Sequence, residues 1–557
     1  MKNIVFISIS AMLLFSVAAC SDTAVGNDLW DNVTSSKVTS NKQITSFTIN
    51  GYKARISGTT VKAVLPKDTP VTSLTPVINH NGAAISPESG TAQDFSSPVT
   101  YTVTATDGTT EKYTVSVTIL DAAGMANANL SVLKVKKGKL QPDFSSSQIS
   151  YLDAPIPFSD SANPAYNAKQ SNSVIADPEI LIATMTINGT PVENAQEYLI
   201  SNLAVGPNNV EIKVTSADKT TTNTYSVTMY RAIPIFKTGA GYYSGINPLE
   251  DGATQRGVSW PNPRFKDNGN GTVTDIMTGL TWLKNAKQLS LKKYVDAVST
   301  AKSLSGSYGY EDWALPNINE IRSLINFNES PHVYLNKFLQ NFSNIEYWWT
   351  STTYINESEK VYSLIVNNGV FSIDGTNETL YAWAVSGESK NLPKTGQIES
   401  YNLTPGFGDD GDLEKGITWP IPRFHSNIEG TVIDNMTSLM WVNNQIYAKK
   451  GWIPTLEYIN ENMNTGIIDN YGFDDWTIPN AKEIETLSNF GKADITWLNE
   501  SGLFVVASGK WIWTSNHSTS SSSQARFYNT VAQAVLHNSK DSDLWVLPVR
   551  QAKIINY

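Results

Sequence analysis

The sequence predicts a multidomain chain of two all-β sandwiches followed by two tandem copies of one α+β domain. Three observations carry this. Residues 44–120 and 127–232 alternate apolar and polar side chains with period two between Gly, Pro, Asn and Asp turns, as half-buried strands do. Beyond residue 235 tryptophan becomes frequent and helical stripes appear. From there onward, whole segments recur at offsets of 159 to 164 residues, which marks duplication of a domain and not a solenoid of short units.

The composition of the 557 residues, 40% apolar and 17% charged, belongs to a folded chain. A net charge of −10 argues against a nucleic-acid partner, which calls for a basic footprint. The densest basic run, Lys134, Lys136, Lys137 and Lys139, reads as solvated lysines guarding a sheet edge.

At the N-terminus, Lys2, the apolar run "IVFISISAMLLFSVAA" and the single cysteine, Cys20, form an export signal over residues 1–20. Val17-Ala18-Ala19-Cys20 resembles the lipobox of bacterial lipoproteins. The resemblance implies acylation of Cys20 and a membrane partner through that N-terminal anchor. It also implies an exported, lipid-anchored protein of the cell envelope, with Ser21 leaning towards the outer membrane or cell surface. Residues 21–43 are rich in Ser, Thr, Asn and Asp and read as a flexible tether, about 70 Å long if fully extended.

In the first sandwich, Asp107-Gly108 between two alternating runs is a strong hairpin signal. The hairpin "VTATDGTTEKYTVSV" returns as "VTSADKTTTNTYSVTM" in the second. There, "LSVLKVKKGKLQPDFSSSQISY", "MTINGTPV" and "NNVEIKVTSADKTTTNTYSVT" resemble the bacterial cadherin-like β-sandwich family, and the first unit looks like a relative. The resemblance implies Ig/cadherin-like spacers. The acidic junction motifs of calcium-dependent cadherins are missing, since "DAAGMANAN" carries only Asp121.

The duplicated half spans residues 236–390 and 396–554. "GVSWPNPRFKDNGNGTVTDIMTGLTW" matches "GITWPIPRFHSNIEGTVIDNMTSLMW" without a gap, and "YGYEDWALPN" matches "YGFDDWTIPN". Leu291, Tyr294, Val295, Val298 and Ala301 form a helical stripe over 291–304, and "WIPTLEYINENM" takes that place in the second copy. Asn317 with Glu320, and Asn480 with Glu483, have the spacing of a capping box. The helices they start bury Ile318, Ile321, Leu324 and Ile325, or Ala481, Ile484 and Leu487. Trp313 and Leu315 read as core, and Glu311 and Asp312 as residues of the turn before the helix.

"DNGNGTVTD..TGLTW", "DW.LPN..E", "WWTSTTY" and "W.LPVR" resemble the Lcl C-terminal domain family. The resemblance implies a C-type-lectin-like α+β fold in bacterial surface proteins, some of which bind glycans. The chain departs from the family pattern at Ala314 and Thr477, where Arg is usual, and at Ser386, where the second copy keeps the terminal Arg550.

Chemistry is sparsely supported. His80, His332, His425, His517 and His537 share no position between the copies, and no nucleophile, HExxH or phosphate-loop motif occurs. The expectation is a non-catalytic protein that requires no cofactor. Calcium is the one ion whose ligands are present, at Asp267, Asn270 and Asp275 or at Asp409, Asp410 and Asp412. Turn and cap roles compete for the same residues.

In C-type-lectin-like folds the ligand surface lies on the last strands and their loops, where the copies also diverge most. The candidate ligand residues are therefore Tyr354, Tyr362, Asn367, Asn368, His517, Arg526, Tyr528, Asn529 and His537. The expected function is surface recognition or adhesion: a lectin-like head on a sandwich stalk, binding a glycan or protein ligand. Two alternatives stay open. One is a structural envelope lipoprotein; the other, more distant, is a glycan hydrolase using a carboxylate pair such as Glu311 and Asp312.

Overall fold

The structure, a computed structural model, describes residues 40–136, 140–156, 170–243, 245–400, 406–426, 428–447, 451–519 and 521–551. The export signal, Cys20, most of the tether, Lys137 and Lys139 lie outside the described residues. No helix among the described residues is long and apolar enough to cross a membrane.

The first sandwich pairs a three-stranded sheet with a five-stranded one. Its core is the alternate-residue face of those strands, with Phe47 edge-on to Tyr101 at 5.5 Å. Asp107-Gly108 makes the turn between Val99–Thr104 and Thr110–Ile119, with Asp107 Oδ1 accepting from the Thr109 amide at 2.8 Å.

The second sandwich has a six-stranded sheet against a three-stranded one. The recurring hairpin is Gly206–Thr215 with Thr222–Arg231, fully paired over ten residues. Leu130–Val135 is an edge strand, and Lys136 just beyond it pairs with Glu197 at 2.8 Å. The last strand runs directly into the head. The Tyr230 hydroxyl donates to the Thr418 carbonyl at 3.1 Å, the Ile233 amide donates to the Met436 carbonyl at 2.9 Å, and the side chains of Tyr230, Ile233 and Met436 pack together.

Each copy of the duplicated domain has a four-stranded and a five-stranded sheet in matching strand order. In the first copy the helix is Tyr294–Lys302, shorter than the 291–304 stripe. Leu291 instead pairs in a short strand, leaving its side chain and that of Val295 exposed. In the second copy Trp452–Tyr458 continues into a π-helical turn, Ile459–Met463. Both capping boxes form, starting Ile318–Ser323 and Ala481–Glu485, and the apolar residues of both helices are buried. One continuous hydrophobic core contains side chains from both copies, so the head is a single packed unit with an internal pseudo-two-fold relationship.

Candidate functional site

The repeated motifs build framework. Arg264 and Arg423, from "PNPRF" and "PIPRF", each hold an aspartate through two nitrogens: Asp275 at 3.1 and 2.9 Å, Asp434 at 3.2 and 3.2 Å. The same guanidinium groups donate to the Ser323 and Thr486 carbonyls at the ends of the capped helices. They also lie over the rings of Trp260 and Trp419 at 4.6 and 4.3 Å. Asp275 and Asp434 further accept from the amides and hydroxyls of the following Met-Thr turns. Trp313 and Leu315 are core residues, as expected from the sequence, and so are Trp476 and Ile478.

Each of the calcium candidates has a protein partner in the structure. Asp275 is fully buried in its arginine pair. Asp267 binds Lys284 at 2.5 Å, and Asn270 Oδ1 accepts from the Thr272 hydroxyl at 2.6 Å within the turn. Asp409 caps the helix Asp410–Leu413, Asp410 accepts from the Thr352 hydroxyl at 2.7 Å, and Asp412 accepts from the amides of Gly406 and Gly408. Asn-Gly and Asp-Gly turns and helix caps use these oxygens without any ion. Among the described residues no three His, Cys, Asp or Glu side chains are grouped to hold a metal.

The described residues of 236–258 and of 393–417 form arms, each leading into one copy and docking on the other. Gly257 and Gly416 close them with φ of +109° and +118°, where a Cβ would meet backbone atoms at 2.8 Å. From the first arm, Arg256 donates to Glu483 Oε1 and Oε2 at 3.2 and 2.8 Å and to the Ile478 carbonyl at 2.7 Å. Asn516 donates to Asp251 of the same arm at 3.0 Å. From the second arm, Lys415 donates to the carbonyls of Asp312 and Gly387 at 3.1 and 3.2 Å and lies 3.4 Å from the Asp312 carboxylate.

This explains the departure at Ser386. In the second copy Arg550 binds Asp475, whereas Asp312, the equivalent carboxylate, takes Ser386, the Gly387 amide and Lys415. Burial pushes the Asp312 carboxyl up, but Ser386, Lys415 and the Gly387 amide outweigh it and hold the group below the usual range. The signal for the arms is legible afterwards: Arg256-Gly257 and Lys415-Gly416 share the 159-residue offset.

The copies meet across the strands chosen as the ligand surface. Tyr362 is 2% exposed, edge-on to Phe490 of the other copy at 5.1 Å, with Tyr354 packed on its other side at 5.6 Å. The equivalent of Tyr362 is Arg526, which is 1% exposed and lies over Phe327, the equivalent of Phe490, at 4.5 Å. Arg526 Nη2 also donates to the Asn368 carbonyl at 3.2 Å, with Asn367 beside it in the same turn and His537 opposite Arg526 on the neighbouring strand. Burial and the Arg526 charge push the His537 imidazole down to about 3. Tyr528 is fully buried, and Asn529 Oδ1 accepts amides of its own turn.

Tyr354, Tyr362, Arg526 and Tyr528 are therefore interface core, which corrects their assignment as ligand residues.

His517 is only partly buried, as are Asn367, Asn368, Asn529 and His537. Its ring meets Tyr243 edge-on at 5.0 Å, and its Nδ1 lies 3.6 Å from Glu250 Oε2. The Tyr243 hydroxyl donates to the Glu250 carboxylate at 3.0 Å. Burial and that carboxylate push the Tyr243 phenol up to about 12. Tyr242 beside it is 75% exposed. Sequence reasoning missed both tyrosines; the adjacent pair inside "GAGYYSG" was the available sign.

Comparison with known families finds three family models along the chain. The family described as "Lcl C-terminal domain" matches residues 271–386 and 430–550, and the cadherin-like β-sandwich family matches 130–232. The first sandwich, residues 44–117, matches a different description, "SGBP, N-terminal". Searching curated proteins gives no match.

Among solved structures, a glycoside-hydrolase candidate from Bacteroides thetaiotaomicron is 16% identical, over 41% of this chain and 89% of that one, with a TM-score of 0.15. Domains 4 and 5 of the S-layer protein SbsC are 14% identical, over 33% and 99%, with a TM-score of 0.11. The sialic-acid-binding region of a Streptococcus sanguinis adhesin is 11% identical, over 34% and 52%, with a TM-score of 0.13. At these values the likenesses carry no argument about function.

Proposed function

We propose that this chain is a lipid-anchored surface recognition protein whose fused head binds a glycan or protein ligand without chemical turnover. The supporting observation is the side chain set at the tip of the first arm. Tyr242 stands in solvent, and Tyr243, next to it in the chain, packs edge-on to His517 and donates to Glu250, so exposed aromatic surface and hydrogen-bonding groups occur within one short segment and its contacts. Aromatic surfaces flanked by polar side chains suit sugar rings and peptide side chains alike. The second sandwich docks on the head through Tyr230 and Ile233, which supports display of the head on that sandwich. Asp312, one half of the carboxylate pair considered for hydrolysis, is held by Ser386, Gly387 and Lys415, which fits a turn better than an acid–base role.

The test is a glycan array and a cell-binding assay with the purified full chain, alongside external protease treatment of intact cells. Specific retention and protease shaving of the head are expected. A head that is shielded from protease and binds nothing would favour the envelope-docking alternative, and release of sugar product would favour the hydrolase.

A further inference from the structure

We propose that the head carries a subsite for one neutral sugar residue, separate from the Tyr242 tip, in the open cleft between segment 233–235, the end of the first arm and the second copy. The cleft has a volume of about 380 Å³, within the roughly 300–1,000 Å³ of small-molecule sites. Ile233, Ile235, Val258 and Leu439 give it aliphatic walls. Arg256 with Glu483, and Arg550 with Asp475, give it polar ones.

The charge balance there selects a neutral ligand. Arg256 lies 2.8 Å from Glu483, and Arg550 holds Asp475 through Nε and Nη2, so two cations meet two carboxylates. An added ion would be desolvated with no counter-charge left to receive it. Hydrogen-bonding capacity does remain. The Asp475 side chain is 43% exposed and each of its oxygens takes one arginine N–H, which leaves about two of a carboxylate's four lone-pair sites. Arg256 Nη1 has no partner. The Thr477 hydroxyl donates to the Val549 carbonyl at 3.1 Å and keeps its lone pairs. Gln551, on the exposed rim, donates through Nε2 to the Ser438 carbonyl at 2.9 Å, leaving Oε1 to accept.

Neighbouring hydroxyls answer this set. Each is one donor and two acceptors, so a pair of them donates to Asp475, Thr477 or Gln551 and accepts from Arg256. The C–H faces of the sugar ring meet the aliphatic walls at the same time. The first copy serves as an internal control. Lys415, Ala314, Ser386 and Gly387 stand where this cleft has Arg256, Thr477, Arg550 and Gln551. Lys415 turns onto the Asp312 and Gly387 carbonyls, and Ser386 and the Gly387 amide take up the Asp312 carboxylate. The two arginine–carboxylate pairs therefore occur once in the head, and one sugar per chain follows.

Saturation-transfer NMR on the full chain tests this with glucose, galactose, mannose and N-acetylglucosamine, and with glucuronate and glucosamine as charged counterparts. At least one neutral sugar is expected to receive saturation and to bind about tenfold or more tightly than the charged forms. Thr477→Ala with Gln551→Gly, which installs the first copy's residues, should weaken binding about tenfold, and Tyr242→Ala should leave it unchanged. Should the double variant fail to fold, Gln551→Ala, at an exposed side chain, decides in its place. No saturation of any neutral sugar, equal or tighter binding of a charged form, or full-strength binding by the folded variant would each overturn the proposal. Loss of binding in Tyr242→Ala would overturn it too, by placing the sugar at the tip, and would leave the recognition reading standing.

Discussion

Arg322 and Glu485 are one position of the duplicated domain, 163 residues apart like Trp313 and Trp476, and they meet across the pseudo-axis. In a strictly symmetric head this position would place two like charges together. Divergence to opposite signs lets the copies close on each other. Glu485→Ala would leave Arg322 and Lys482 buried without their carboxylate, at a cost of about 3 kcal/mol or more. Urea unfolding of the full chain should show the head transition move down. Exchanging the pair, Arg322→Glu with Glu485→Arg, should recover more than either single reversal does. Equal loss in all three variants would mean that the sites act independently.

The arginine–aspartate pair behind the repeated "PRF" motif gives a sharper alternative to calcium. Asp275→Asn should destabilise the first copy by about 3 kcal/mol, because Arg264 stays buried beneath Trp260 without its counter-ion. Chelator treatment should leave the melting temperature unchanged. A fall on adding EDTA, reversed by calcium, would return these acidic turns to the status of ion sites.

Most of the framework was legible in the sequence because it depends on local rules. The capping boxes, the hairpin at Asp107-Gly108, the strand alternation and the buried tryptophans follow from spacing within a few residues. What was not legible depends on contacts between segments far apart in the chain. Tyr362 and Arg526 look like variable surface residues in one dimension, yet each packs against a phenylalanine of the opposite copy. Period-two alternation cannot distinguish a strand facing solvent from one facing a second domain. The arms were missed for the same reason: Arg256 finds its carboxylate 227 residues away.

The tip of the first arm should carry ligand binding without carrying stability. Tyr242→Ala removes a side chain that is 75% exposed, so the melting temperature should not move. Affinity for whatever ligand the intact chain retains should fall by about tenfold, as it does when an aromatic anchor is lost. Tyr243→Phe should give a smaller loss through the freed Glu250 carboxylate. A Tyr242→Ala head that binds at full strength would move the recognition surface elsewhere.

The two arms differ in how they meet the opposite cap, and that difference should appear as pH dependence. Arg256 neutralises Glu483 through two hydrogen bonds, but Lys415, its equivalent, turns to Asp312 and leaves Glu320 Oε1 buried without a partner. Burial pushes the Glu320 carboxyl up to about 7 despite Lys415, and burial likewise pushes Asp410, on the docked arm, up to about 7. A carboxyl raised on folding binds its proton more tightly in the native state. Its stabilising contribution is therefore complete below the ordinary range near 4 and is lost as pH rises through about 7. The head should lose a few kcal/mol between pH 4 and pH 8, with the second arm loosening first in hydrogen exchange. Lys415→Arg should let the guanidinium reach Glu320 as Arg256 reaches Glu483, flattening the profile and raising stability most at pH 8. A profile unchanged by Lys415→Arg would show that Glu320 is not the group responsible.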